Sequence, residues 1–223
     1  MEDRMKTIAA LCMLVDHVGL MFFPNDLRWR IIGRLAMPIF SYGVARGAFY
    51  TTSLKRYTKK MLLFSLISQV PFWGMNAEIG QPFLGLHLNV GFTFFLALIS
   101  IACFKQSQEK HKPWRAIIGI MGAILLAEKL NCDYGGYGIL MVWISYIAFI
   151  KAYPLYQVAF MYELITIATR YHDPLLCKLQ CVGVLGYGVI FATEHLSEKK
   201  WKKGFYIFYP LHMLILVGIK WWS

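Results

Sequence analysis

Asp16 and His17 stand side by side in Leu-Val-Asp-His-Val-Gly, residues 14–19, within an otherwise apolar run. An acid and an imidazole in such a run need a reason. A charged side chain at mid-bilayer costs about 2.5–3.5 kcal/mol on insertion scales, so such groups face a bundle interior or a wet cavity. His17 is the natural general base, because an imidazole changes protonation near neutral pH. Neighbouring helical positions project about 100° apart, so Asp16 is poorly placed to orient His17 and its own partner is expected on another helix. Arg34 is the expected partner, since a buried carboxylate left unpaired costs several kcal/mol. Such a pair serves equally as a structural tie.

Further polar groups interrupt later apolar runs. Arg34 or Asn89 is suited to stabilising an oxyanion. Asn89, Asp133, Tyr134 and Glu163 are candidate substrate-binding groups on the same half of the bundle as His17. Arg46 lies about 18 Å from Arg34 along an ideal helix and is assigned, with His212, to the opposite half, where the two are the candidate residues for binding a phosphate-bearing cofactor. Two polar zones at different depths suggest a passage.

The elements that must hold these groups are membrane helices. Of the 223 residues, 58% are hydrophobic and 16% charged, with mean hydropathy +0.50, far too apolar for a soluble domain of this length. A span takes roughly 20 apolar residues, so about nine would use the chain as one membrane domain covering residues 1–223. They are expected near 6–23, 31–50, 61–73, 89–104, 116–130, 137–150, 153–169, 175–193 and 205–221. Pro38 predicts a kink in the second, and the loop at 76–87 is long enough to re-enter the bilayer.

Most of the 23 Lys and Arg fall in alternate connections, among them Lys55, Arg56, Lys59, Lys60, Lys105 and the lysines of residues 194–203. That bias predicts a cytoplasmic amino terminus. It explains the net charge of +11 without nucleic acid. Arg4 and Lys6 before an apolar run resemble a secretory signal, but Asp16 breaks the run and no small-residue cleavage site follows, so a retained span is expected. Cys12, Cys103, Cys132, Cys177 and Cys181 are odd in number and mostly in apolar runs. Neither a disulfide framework nor a metal site is expected from them.

Several motifs occur together and in order: Leu14-Val15-Asp16-His17-Val18-Gly19, Gly33-Arg34-Leu35-Ala36-Met37-Pro38-Ile39-Phe40, Ile67-Ser68-Gln69-Val70-Pro71-Phe72, Asn89-Val90-Gly91-Phe92-Thr93, Asp133-Tyr134-Gly135-Gly136-Tyr137-Gly138 and Phe208-Tyr209-Pro210-Leu211-His212. With them the chain resembles the TraX family almost from end to end. That family's founding member acetylates the amino terminus of a conjugative pilin, and it is similar to a wider group of multi-span acyltransferases that includes heparan glucosaminide acetyltransferase. The resemblance implies an acyltransferase that moves an acetyl group from acetyl-CoA, on the cytoplasmic side, to a peptide amine, glycan or lipid outside. Asp16, His17, Arg34 and His212 fall on family motifs. Arg46 stands where many relatives carry an acid.

The expected mechanism has His17 as general base, or equally as the group that is itself acylated. The runner-up is a proton-coupled transporter or flippase using Asp16, His17 and Glu163 as a relay. A third reading is a noncatalytic assembly subunit. The expected partners are acyl-CoA, the acceptor, membrane lipids and a second copy of the chain.

Overall fold

A computed structural model describes residues 3–81, 86–193 and 204–222. The described residues build an all-α bundle: α1 (Asp3–Phe22), α2 (Leu27–Gly33), α3 (Ala36–Tyr50), α4 (Leu54–Glu78), α5 (Val90–Glu109), α6 (Trp114–Lys129), α7 (Gly135–Lys151), α8 (Leu155–Arg170), α9 (Pro174–Cys181), α10 (Leu185–Thr193) and α11 (Gly204–Trp222). Two pairs, α2–α3 and α9–α10, are single rods with a break, which leaves the nine rods expected among the described residues. The lysine-rich residues 194–203, and Pro82 and Gly85 of the expected re-entrant loop, lie outside the described residues.

Among the described residues, four segments are long and apolar enough to cross a membrane: Arg4–Phe22, Val90–Glu109, Pro174–Thr193 and Gly204–Trp222. The bundle exterior agrees. Leu63, Leu66, Ile67 and Val70 of α4 and Ile117, Ile118, Met121, Leu125 and Leu126 of α6 are exposed, a continuous apolar surface that water would not tolerate and lipid would cover. The chain is a membrane protein.

Local chemistry sets the helix limits. Asp26, Ser53 and Asp173 each cap a helix by accepting from a backbone N–H, and Pro174 follows Asp173 at the first helical position, where its missing N–H costs nothing. The second rod begins earlier than expected, at Leu27 rather than near residue 31, and breaks at Arg34 and Leu35. Pro38 has no N–H to give the Arg34 carbonyl one turn back, which favours a break there. Beside it pack Gly183 and Gly186, where a Cβ would come 3.1 Å from the Arg34 carbonyl oxygen and 2.8 Å from that of Leu35. The second break is the 3-10 turn Val182–Val184 between α9 and α10.

Successive rods alternate in direction. Lys105 at the end of α5 donates to the Ala48 carbonyl near the end of α3. At the other end of the bundle Trp221 of α11 donates to Glu78 of α4, and Lys220 lies over the Phe22 ring of α1. The most extensive packing joins α5 to α6, α3 to α7, α4 to α11 and α1 to α2. Most residues of α3 and α7 are buried, so these two form the centre on which the site is built.

Candidate functional site

Among the described residues, a cavity enters the bundle from each end. The first, about 240 Å³, lies towards the end where α1 finishes and is lined by Asp16, His17, Arg30, Arg34, Asn76, His87, Asp133, Tyr134 and Tyr209 among others. The second, about 500 Å³, opens near the start of α1 and is lined by Lys6, Arg46, Tyr50, Tyr57, Phe64, Phe205 and Tyr206, among others. Phe40 of α3 belongs to both linings, with its ring 4.8 Å from that of Phe205.

In the smaller cavity Asp16 pairs with Arg30, not with Arg34 as the sequence suggested: Arg30 Nη1 donates to Asp16 Oδ2 at 2.9 Å. Because α2 starts early, Arg30 and Arg34 are one turn apart in the same rod and address the same side. Gly33 permits the close approach, since a Cβ there would lie 2.1 Å from Asp16 Oδ1. Arg34, only 6% exposed, instead donates through Nη1 to the Tyr134 hydroxyl at 3.2 Å. Among the described residues, two buried atoms here have no protein partner, Asp16 Oδ1 and Arg34 Nε. Buried polar atoms are nearly always satisfied, so this pair marks a place for a ligand or water.

The wall opposite is made of two loops held together. Leu88 N–H donates to the Asn131 carbonyl at 3.2 Å and Asp133 N–H to the Leu88 carbonyl at 2.7 Å, an isolated parallel bridge between Leu88 and Cys132. It fixes His87 from one loop and Asp133 and Tyr134 from the other. Tyr134 sits at φ +65°, in left-handed backbone that non-glycine residues seldom adopt. The turn is kept by Glu128, which accepts from Gly136 N–H at 2.7 Å. Burial pushes the Asp133 carboxyl above the usual carboxylate range, against the opposing pull of His87 and Arg34.

His17 is held from behind by His212, with His17 Nδ1 and His212 Nε2 2.7 Å apart and the two rings within 8° of parallel. This corrects the expected position of His212, which was placed with Arg46 at the other end and does not line the Arg46 cavity. Its helix is offset: His212 is about 12 Å along α11 and His17 about 21 Å along α1 at ideal rise, yet they meet.

Asn89 is also elsewhere than expected. It caps α5 by accepting from Gly91 N–H, donates to the Ser65 carbonyl and to Gln69 Oε1, and is fully buried, outside the cavity lining. Its polar atoms are spent on structure, as is Gln69, which ties it to the His87 carbonyl. Glu163 on α8 is beside the Cys181 thiol and lines neither cavity. Among the described residues no cluster of His, Cys, Asp or Glu could hold a metal ion.

In the larger cavity Arg46 Nη1 is buried without a partner among the described residues, and its guanidinium lies 5.9 Å from the Tyr50 ring centre. Sequence reasoning missed Arg30, His87, Asn76 and Phe40. Arg30 was legible as the residue one turn before Arg34 had the helix been started at the Asp26 cap; the others carry no local signal.

A family model described as TraX protein matches residues 1–220. The "Probable fimbrial assembly protein FimC, serogroup H1" of Dichelobacter nodosus is 26% identical over 235 residues, covering 97% of this chain and 94% of that protein. "Protein TraX" of Escherichia coli is 22% identical over 220 residues, 96% of this chain and 85% of that one. No solved structure matches.

Proposed function

Because the chain belongs to the TraX family, we propose that it is a membrane-embedded acyltransferase that carries an acetyl group from acetyl-CoA to an amine or hydroxyl on the other side of the membrane. The observation that carries this reading is the pairing of two cavities from opposite ends that share Phe40 in their linings, each with a guanidinium N–H unpartnered among the described residues. The positive-inside bias of the loops supports a cytoplasmic amino-terminal end in this reading.

Acetyl-CoA would supply an activated carbonyl from the larger cavity, where Arg46 Nη1 is free to donate to a phosphate. The thioester arm must pass Phe40, whose ring has to turn aside. In the smaller cavity His17 takes the proton from the acceptor N–H or O–H as its heavy atom bonds to the carbonyl carbon. Arg34 Nε donates to the oxygen on which charge develops, a role that fits it better than Asn89, whose hydrogen bonds are already committed. As the carbon–sulfur bond breaks, His17 returns the proton to the thiolate. Asp16, neutralised by Arg30, keeps Oδ1 for a donor on the acceptor.

The name of the Dichelobacter relative makes an envelope polymer such as a fimbrial subunit a candidate acceptor. Radiolabelled acetyl-CoA supplied to protein in lipid nanodiscs tests the reading. Transfer to a supplied amine or hydroxyl acceptor, or slow release of free acetate, is expected, with loss of at least about 100-fold in His17→Ala. Activity unchanged in that variant, or substrate flux driven by a proton gradient without CoA, overturns it.

A further inference from the structure

We infer that His212 is a positioning residue that fixes His17 in one tautomer, with hydrogen on Nδ1 and the lone pair on Nε2. Hydrogen valence decides this. The Phe208 carbonyl can only accept, so His212 Nδ1, at 2.9 Å from it, carries a hydrogen and donates it. A neutral imidazole protonated on Nδ1 has a bare Nε2. His17 Nδ1 stands 2.7 Å from that nitrogen, and two lone pairs at such a distance would repel, so the bridging hydrogen belongs to His17. Its Nε2 is left as the basic atom of a side chain that lines the smaller cavity.

His212 itself is 4% exposed and lies outside that lining, so it acts through His17. Its ring is parallel within 12° to that of Phe208, one turn earlier on α11, with centres 5.0 Å apart. The carbonyl that sets its tautomer and the ring that sets its orientation thus come from the same residue. Asp16 does not compete, being turned to Arg30.

The inference rests on the transferase reading only for what the lone pair is used for. There, a proton taken up at His17 Nε2 lets the bridging hydrogen move to His212 Nε2. Positive charge then sits on the imidazole capped by the Phe208 carbonyl, and the move reverses when His17 gives its proton back. Charge is conserved, and no other group is needed.

Nitrogen-15 NMR of histidine-labelled full chain in nanodiscs, at about pH 8 where ordinary imidazoles are neutral, reads the tautomer without reference to activity. The His17 signals are assigned as those lost in His17→Asn. The expected result is a hydrogen on Nδ1 and none on Nε2 in the wild type, replaced by a tautomer mixture in His212→Ala and restored in part by His212→Gln, whose side-chain oxygen can accept from Nδ1.

An Nε2-protonated His17 in the wild type, or a wild-type pattern that survives His212→Ala, overturns the inference; should His212→Ala fail to fold, the wild-type and His212→Gln spectra decide. In the transfer assay kcat should fall by about 10- to 100-fold in His212→Ala, the scale of losing an outer partner of a working imidazole, with KM for acetyl-CoA unchanged. A wild type inactive with acetyl-CoA but showing the expected tautomer would refute the transferase reading and leave this inference standing.

Discussion

Exchanging Arg30 for methionine asks which arginine Asp16 depends on. The side chains of Arg30 and Asp16 are 27% and 15% exposed and meet at 2.9 Å. Breaking a buried pair by removing one member costs about 3–5 kcal/mol. Water reaches part of this pair, and Arg34 stays near enough to offset some of the carboxylate's charge, so about 2 kcal/mol is expected for Arg30→Met. Asp16→Asn should cost less, since the amide oxygen can still accept from Arg30 and the charge left unpaired is on the more exposed partner.

A double-mutant cycle over Asp16→Asn and Arg30→Met, followed by equilibrium unfolding in mixed micelles with rising SDS, should return a coupling of about 1–2 kcal/mol. The same cycle with Arg34→Met should return less than about 0.5 kcal/mol, because the Arg34 hydrogen bond goes to Tyr134. A larger coupling to Arg34 than to Arg30 would refute the reasoning from geometry and restore the pairing expected from sequence.

Other outcomes follow from the same structure. Asn89→Ala removes a cap and a buried three-way hydrogen-bond junction and should destabilise the protein by about 2–3 kcal/mol; in the transfer assay it should leave KM for acetyl-CoA within about twofold. Arg46→Ala should raise that KM by about tenfold or more while kcat changes little, as expected for loss of a charge-assisted contact made equally in ground and transition states. Asp133 has its carboxyl pushed up by burial, so its neutral form favours the fold: that contribution is whole below the unfolded carboxyl pKa and is lost as pH rises through the folded one. Wild-type melting temperature should therefore fall more between about pH 4 and about pH 7 than that of Asp133→Asn, and parallel curves would contradict this.

The lipid setting and the placement of Asp16 and His17 at an internal cavity were legible because an acid and an imidazole inside an apolar run are too costly to leave facing lipid. The nine rods were legible too, from apolar length. Partners were harder. Depth was counted along ideal helices assumed to start at one level, which misplaced His212 because α11 is offset from α1 by about 9 Å at ideal rise. Starting the second rod near residue 31 cut Arg30 from the face it shares with Arg34. Asn89 looked like a ligand group because hydrophobic surroundings make any amide conspicuous; whether it faces a cavity or a neighbouring backbone depends on contacts with Ser65 and Gln69 of a different helix, which no local pattern announces. Phe40 was invisible, since a phenylalanine in a membrane helix is ordinary until both sides of it are seen to be hollow.

The bridge between Leu88 and Cys132 has a bearing on biogenesis. It closes across two whole rods, α5 and α6, so the half of the pocket bearing Tyr134 does not exist until the nascent chain has been threaded well beyond its midpoint. A ribosome-bound intermediate ending after α4 would already carry the Asp16–Arg30 contact and the His17 ring, yet it would have neither His212 behind that ring nor a far wall in front of it. Completion of the site is thereby deferred to α11, the helix that brings His212 behind His17.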